Sequence, residues 1–339
     1  MNDNLLGLSQ KEKEDYIDTL FITYGRLNEM IKAVEAVHKT YKKHEPEGLF
    51  IKGEAGVGKS TVRKTYAAMH PPIRSNGTTK VPVLAAVAPM PAAIGTLAQE
   101  LLAQLGDPCP WTGTVGSKTG RLRDLIDTCG VQLIILDEFQ HFIEPEGHKL
   151  LLNTANWLKN LIQLTNVPVV LIGMPHSECI FHCKDQGQLL RRFKKWRSIE
   201  PFSWETKELQ HEFRTVLNSL DDSLPLPEKS MLAFYDTAFR IMYATDGIID
   251  YVTTLVKKAA KLAVKDNMPQ ITNDHLADAF DEELINVMAH KKNPFREEVD
   301  SLDDINELAK ARLAELEAEA TPKKRRGRKK KSEEKEDAS

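Results

Sequence analysis

The sequence predicts an α/β fold: a parallel sheet covered by helices, followed by an all-helical subdomain. Three observations predict it. Between residues 48 and 204, short and almost continuously apolar runs alternate with helical patterns, which is how parallel strands buried on both faces read. A glycine-rich loop joins the first of these runs to the helix after it. Beyond about Trp204 only helical periodicity continues.

Taken in order, residues 11–44 carry Leu27, Met30, Ile31, Val34 and Val37 at steps of three and four, the pattern of one helix leading into a turn. Leu49-Phe50-Ile51 is the first strand, ending at Gly53, and a helix follows from Lys59 to about Met69. Val81 to Ala88 is the second strand, with a helix from about Ile94 to Leu105. Leu122 to Thr128 is helical and stops at Cys129-Gly130, after which Val131 to Leu136 is a buried strand. Residues 149–164 form an amphipathic helix closed by Asn166 and Pro168, and Val169 to Ile172 is the fourth strand. The helical part comprises Glu205–Leu217, Lys229–Tyr243, Ile248–Val264 and Thr272–Val287. Residues 302–320 are rich in helix formers with a thin apolar stripe, and the stretch after Pro322 is too charged to fold alone.

Composition excludes several classes. With 41% hydrophobic and 28% charged residues and no apolar run near 18 residues, no membrane span is expected. The start, Met1-Asn2-Asp3-Asn4, shows no secretory signal, so the expected location is the cytoplasm. Cys109, Cys129, Cys179 and Cys183 then read as reduced thiols. His176, Cys179, His182 and Cys183 have zinc-ligating side chains, but their spacing fits no standard finger. The net charge of -3 hides an asymmetry: residues 323–331 carry +8 and the last eight carry -3, which leaves -8 on residues 1–322. Nucleic-acid binding would therefore need local basic loops or the tail.

Gly53-Glu54-Ala55-Gly56-Val57-Gly58-Lys59-Ser60, followed by Thr61, fits the phosphate-binding P-loop and lies between a strand and a helix, as the mechanism requires. Its glycines let backbone N–H groups wrap phosphates, Lys59 adds a point charge at the β and γ phosphates, and the Ser60 hydroxyl suits Mg2+. Asp137, at the end of a buried strand, would take the same metal, and Glu138 would orient and deprotonate water. ATP and Mg2+ are the expected cofactors, and the adjacent acid pair favours hydrolysis over transfer to an acceptor. In Gln188-Leu189-Leu190-Arg191-Arg192-Phe193, Arg192 is the first choice for an arginine that stabilises γ-phosphate charge in a neighbouring subunit, with Arg191 second. A phosphate-binding patch or a solvated helix face are the alternatives.

Beyond these motifs, Phe21-Ile22-Thr23-Tyr24-Gly25-Arg26-Leu27, Asp137-Glu138-Phe139-Gln140-His141-Phe142, Ala155-Asn156-Trp157-Leu158-Lys159, Val167 to Pro175 and Ile271 to Leu276 resemble the TniB/TnsC family of AAA+ transposition regulators over most of residues 15–290. The resemblance implies an AAA+ P-loop sheet with a helical lid. It divides the chain into an N-terminal helical segment (1–47), a nucleotide-binding core (48–204), a lid (205–290), a linker with a surface helix (291–321) and a disordered basic tail (322–339). It also implies an ATPase that assembles on double-stranded DNA as a ring or helical filament. Such an assembly marks a target, meets a target selector of the TniQ type, recruits and activates a transposase, and is reset by hydrolysis.

Two positions depart from that pattern. Met174 stands where relatives carry a polar sensor after the fourth strand, and Asp246-Gly247-Ile248-Ile249-Asp250 offers no arginine from the lid. Hydrolysis is thus expected to be slow or partner-dependent. For DNA, the resemblance points to inward-facing loops, with Lys118, Thr119 and Arg121 ahead of the third helix and Lys149 as candidates. In the tail, Lys323, Arg325, Arg326 and Arg328 surround an Arg-Gly-Arg core similar to an AT-hook, although a nonspecific phosphate-binding tail is the preferred reading. A replication initiator or helicase loader, and a nucleotide-switched signalling scaffold, are the competing functions.

Overall fold

The computed structural model describes residues 5, 7–75, 78–143, 148–182, 187–288 and 291–297. Its first helices, α1 (Gln10–Thr19) and α2 (Gly25–His38), replace the single helix expected over residues 11–44. Extended backbone at Leu20 and Tyr24 separates them, and the reason is packing. Ile17, Leu20 and Ile22 are buried in the core of the C-terminal helices, whereas Leu27, Met30, Val34 and Val37 are buried against the sheet. One continuous helix could not serve both cores.

Strand β1 (Gly48–Gly53) leads through the glycine-rich loop into α3 (Lys59–Met69). A short antiparallel hairpin, β2 (Ile73–Ser75) with β3 (Thr78–Lys80), was not foreseen. Strand β4 (Val83–Val87) starts two residues later than expected, where Pro82 has no N–H for the ladder and lends its carbonyl to the N–H groups of Gln132 and Leu133. Next come α4 (Ile94–Gln104), α5 (Val115–Thr128), β5 (Leu133–Asp137), α6 (His148–Thr165) and β6 (Val169–Gly173). Two short helices, α7 (Cys179–His182) and α8 (Gly187–Arg192), precede β7 (Lys195–Ile199).

The five long strands pair in parallel in the order β4-β5-β6-β1-β7. Alternate residues feed opposite faces. Phe50, Leu84, Ile134, Leu136 and Leu171 pack with α4, α5 and α6, while Leu49, Ile51, Ile135, Val170 and Ile172 pack with α2 and α3. This fulfils the expectation of a sheet covered by helices. It also sets β6 between the strand that leads into the loop and the strand that ends in the acid pair.

The lid consists of α9 (Lys207–Ser223), α10 (Tyr235–Thr245), α11 (Ile249–Lys265), α12 (Asn273–Ala279) and a π-helical turn, Phe280–Leu284. Helix α10 begins later than the Lys229 expected because the buried Asp221 carboxylate accepts the Ser230 and Leu232 N–H groups and pins that segment as a turn. Phe295, in a stretch expected to be linker, is buried in the lid core. No described helix is long and apolar enough to cross a membrane. Lys323, Arg325, Arg326 and Arg328, with the rest of the tail, and Cys183 lie outside the described residues.

Candidate nucleotide site

The loop at the carboxyl end of β1 takes its shape from two glycines in the left-handed region, Gly56 at φ 76° and Gly58 at φ 98°. Space excludes side chains there as firmly as backbone does. A methyl on Gly58 would lie 2.7 Å from the Tyr24 hydroxyl, and one on Gly56 would lie 2.8 Å from Ile248 of the lid. At Gly53 it would meet the Ile199 carbonyl at 2.4 Å. The result is a tight backbone cradle opening onto the amino end of α3, where free N–H groups and the helix dipole favour an anion.

Lys59, only 6% exposed, donates from Nζ to the Glu54 carbonyl at 2.7 Å and lies 3.7 Å from the Met174 sulfur. Burial pushes its ammonium below the usual lysine range, against the opposing pull of Glu138, Asp137 and Glu54. Strand β5 delivers Asp137 fully buried and Glu138 half-buried in the left-handed region (φ 56°). Asp137 accepts the Glu138 N–H on Oδ1 at 2.8 Å and the Arg63 Nε–H on Oδ2 at 3.1 Å. The Ser60 hydroxyl points at Glu138 Oε1, 3.5 Å away. Gln140 joins the two neighbouring strand ends, since its amide N–H donates to Glu138 Oε2 and its carbonyl accepts the Met174 N–H at 3.2 Å.

The Ser60 hydroxyl reaches Glu138, the chain neighbour of Asp137, and a hydroxyl with a carboxylate are the hard oxygen donors that suit Mg2+. The acid pair and the P-loop residues from Gly53 to Thr61 come together around the end of β1. Tyr24, Val57, Ile199, Phe202, Gly247 and Ile249 line a narrow apolar cleft beside the loop. Two links draw its walls together: the Asp250 N–H donates to the Gly56 carbonyl, and the Phe202 N–H donates to the Gly247 carbonyl. Arg26 clamps the same seam. It makes a bidentate ion pair with Glu212, donates to the Glu200 and Pro201 carbonyls, and lies 4.5 Å over the Phe202 ring.

Arg192 is placed elsewhere. Phe193 beside it packs against Gly48, at the amino end of β1, and so closely that a methyl on Gly48 would sit 2.7 Å from the ring. Five residues of strand, about 16 Å at ~3.3 Å per residue, separate that end from the P-loop, so any part Arg192 plays at a phosphate is in another copy of the chain. Its Nη1 is buried without a hydrogen-bond partner among the described residues, whereas Arg191 is exposed.

The residues suggested for DNA contact are engaged by the fold. Helix α5 starts at Val115, capped by the Thr114 hydroxyl, so Lys118, Thr119 and Arg121 lie in its first two turns rather than in a loop. Lys118 is buried, with Nζ 3.4 Å from both the Gly95 carbonyl and Gln99 Oε1. Thr119 is buried and accepts the Trp157 indole N–H at 3.0 Å. Arg121 pairs with Asp107 and ties down the Cys109 and Thr112 carbonyls. Lys149 falls in α6, and its side chain lies outside the described residues. Replacing Thr119 by Ala leaves the buried Trp157 N–H without an acceptor, so we expect a stability loss of about 1–3 kcal/mol in urea denaturation, with duplex affinity unchanged.

Sequence reasoning passed over Arg63, and it named Tyr24 and Gln140 only within the family-like segments, with no role at the site. Arg63 was within reach, because a residue three after Ser60 on a helix shares its face.

The family model described as Bacterial TniB protein matches residues 15–204, more than half of the chain. The chain belongs to the TniB family. Among solved structures it is similar to the Cdc6p of Pyrobaculum aerophilum (TM-score 0.58, 13% identity, 83% of this chain and 71% of that one). It is similar also to the Orc2 protein of Aeropyrum pernix in ADPNP-ADP complexes (0.54, 15%, 76% and 69%). The Orc1 protein of Aeropyrum pernix in complex with DNA is a third (0.55, 15%, 77% and 66%), of which this chain spans just under two thirds. The fold is therefore that of the AAA+ ATPases, and each of these likenesses covers more of the chain than the family match does. A search of curated proteins by sequence found no match.

Proposed function

We propose that this TniB chain binds ATP with Mg2+ in the Gly53–Ser60 loop, hydrolyses it slowly, and uses the bound state to assemble on duplex DNA and recruit a transposase. The observation that carries the reading is the joint placement of a glycine-shaped P-loop, a buried Lys59 and the Asp137-Glu138 pair in a member of this family.

The triphosphate lies in the cradle, and Lys59 exchanges the Glu54 carbonyl for phosphate oxygens. Ser60 and Asp137 would hold the metal, which would supply charge to offset that of the phosphates. Glu138 takes the proton from water as its oxygen attacks the γ phosphorus, releasing ADP and inorganic phosphate. Gln140 aims that carboxylate. The Met174 thioether is a weak acceptor where a polar side chain could bond phosphate, which fits slow turnover. The base enters the Tyr24–Phe202 cleft once Gly247 and Ile249 draw back, so nucleotide sets the lid angle. Arg192 completes the site of a neighbouring copy, and the Arg-Gly-Arg tail holds DNA close.

The likeness to Orc and Cdc6 proteins favours an initiator as second reading, and the complex of one of them with DNA is compatible with DNA binding here. Family membership favours transposition, and the described residues after 204 form helices with no strand-built appendage. Electron microscopy of the full chain with ATP and duplex DNA tests the proposal. Rings or filaments that need both ligands support it, and monomers under all conditions overturn it.

A further inference from the structure

We propose that Arg63 is the counter-cation of Asp137 in the metal-free site, and that a divalent cation has to displace it, so that Arg63 sets how much Mg2+ the site demands. The inference rests on the nucleotide reading above and deepens it.

Three observations carry it. Arg63 lies one helical turn beyond Ser60, on the face of α3 that meets β5, and its Nε donates to Asp137 Oδ2 at 3.1 Å with the side chain only 17% exposed and that of Asp137 0%. The other carboxylate oxygen accepts the Glu138 N–H at 2.8 Å, so Arg63 holds the oxygen that has no recorded backbone bond. Lys59, whose charge also feels Asp137, is committed to the Glu54 carbonyl. A fully buried carboxylate with no counter-charge is strongly disfavoured. A planar guanidinium answers that need with a fixed charge and a directed N–H.

Mg2+ takes oxygen ligands in a strict geometry and parts with its water reluctantly. At Asp137 it meets an oxygen held by a fixed positive charge, and two cations on one carboxylate repel each other. The metal therefore binds in competition with Arg63, and Asp137 keeps a counter-cation in both states. Glu138 is drawn in as well, because its backbone N–H rests on the same carboxylate.

The test titrates Mg2+ into the full chain with a fluorescent mant-ATP probe, for wild type and Arg63→Gln, and records melting temperatures without metal. The expected result is a half-saturating Mg2+ concentration about fivefold lower in Arg63→Gln, with a lower melting temperature in the absence of metal. Adding Asp137→Asn to Arg63→Gln should recover that melting temperature, since no charge is then left unpaired. If Arg63→Gln does not fold, Arg63→Lys carries the test. A single point charge holds the carboxylate less well than a planar fork, and the Mg2+ demand falls by a smaller factor, about twofold. An unchanged or raised Mg2+ demand overturns the inference while leaving nucleotide binding in place. Failure of the wild type to bind the probe at any Mg2+ concentration instead overturns the nucleotide reading, and this inference with it.

Discussion

Replacing Lys59 by Ala is expected to weaken ATP binding about a hundredfold, equivalent to about 3 kcal/mol, because it removes a buried charge-assisted bond to phosphate. Fluorescence titration with an ATP analogue reads the loss directly. The fold should survive the change, since the only hydrogen bonds recorded for Nζ among the described residues run to the Glu54 carbonyl and the Met174 sulfur. A variant that melted with the wild type yet bound ATP equally well would remove the P-loop from the account.

Glu138→Gln is expected to act in the opposite sense. The amide has nearly the same size, keeps the backbone N–H on Asp137, and can still meet Gln140 through its carbonyl oxygen, so ATP should bind as before. Without a carboxylate to take the proton from water, turnover should fall by at least about a hundredfold. Phosphate release measures the rate, and DNA-bound assemblies formed with ATP should outlast those of wild type. Equal turnover in the two proteins would assign the proton transfer elsewhere.

Which features were legible in the sequence follows from how local their causes are. The P-loop is a run of eight residues whose backbone needs glycine at fixed points, so Gly56 and Gly58 announced it. Strands β5 and β6 are buried on both faces, and their unbroken apolar runs leave little else to read. Strand β7 escaped because it lies at the sheet edge, where Arg197 and Ser198 are exposed and Lys195 pairs with Glu47, and these polar residues mask the apolar pattern. Charged side chains on an edge strand also discourage further pairing. The break between α1 and α2 was hidden because their apolar residues, which keep helical spacing in sequence, belong to two different cores.

Lys118 and Thr119 show the converse. As polar residues they read as surface, yet each is buried and bonded, and the partners, Gln99 and Trp157, lie 19 and 38 residues away. Composition and periodicity carry no trace of such pairings. The Arg63–Asp137 pair is also long in sequence, joining residues 74 apart, although the position of Arg63 on the helix face was open to view.

Calorimetric titration of the full chain with ATP in excess Mg2+ decides whether the Gly53–Ser60 loop is a working nucleotide site. Saturable binding of one ATP per chain, lost in Lys59→Ala, is expected; a folded wild-type protein that bound no ATP, or bound it equally well without Lys59, would contradict a nucleotide site there.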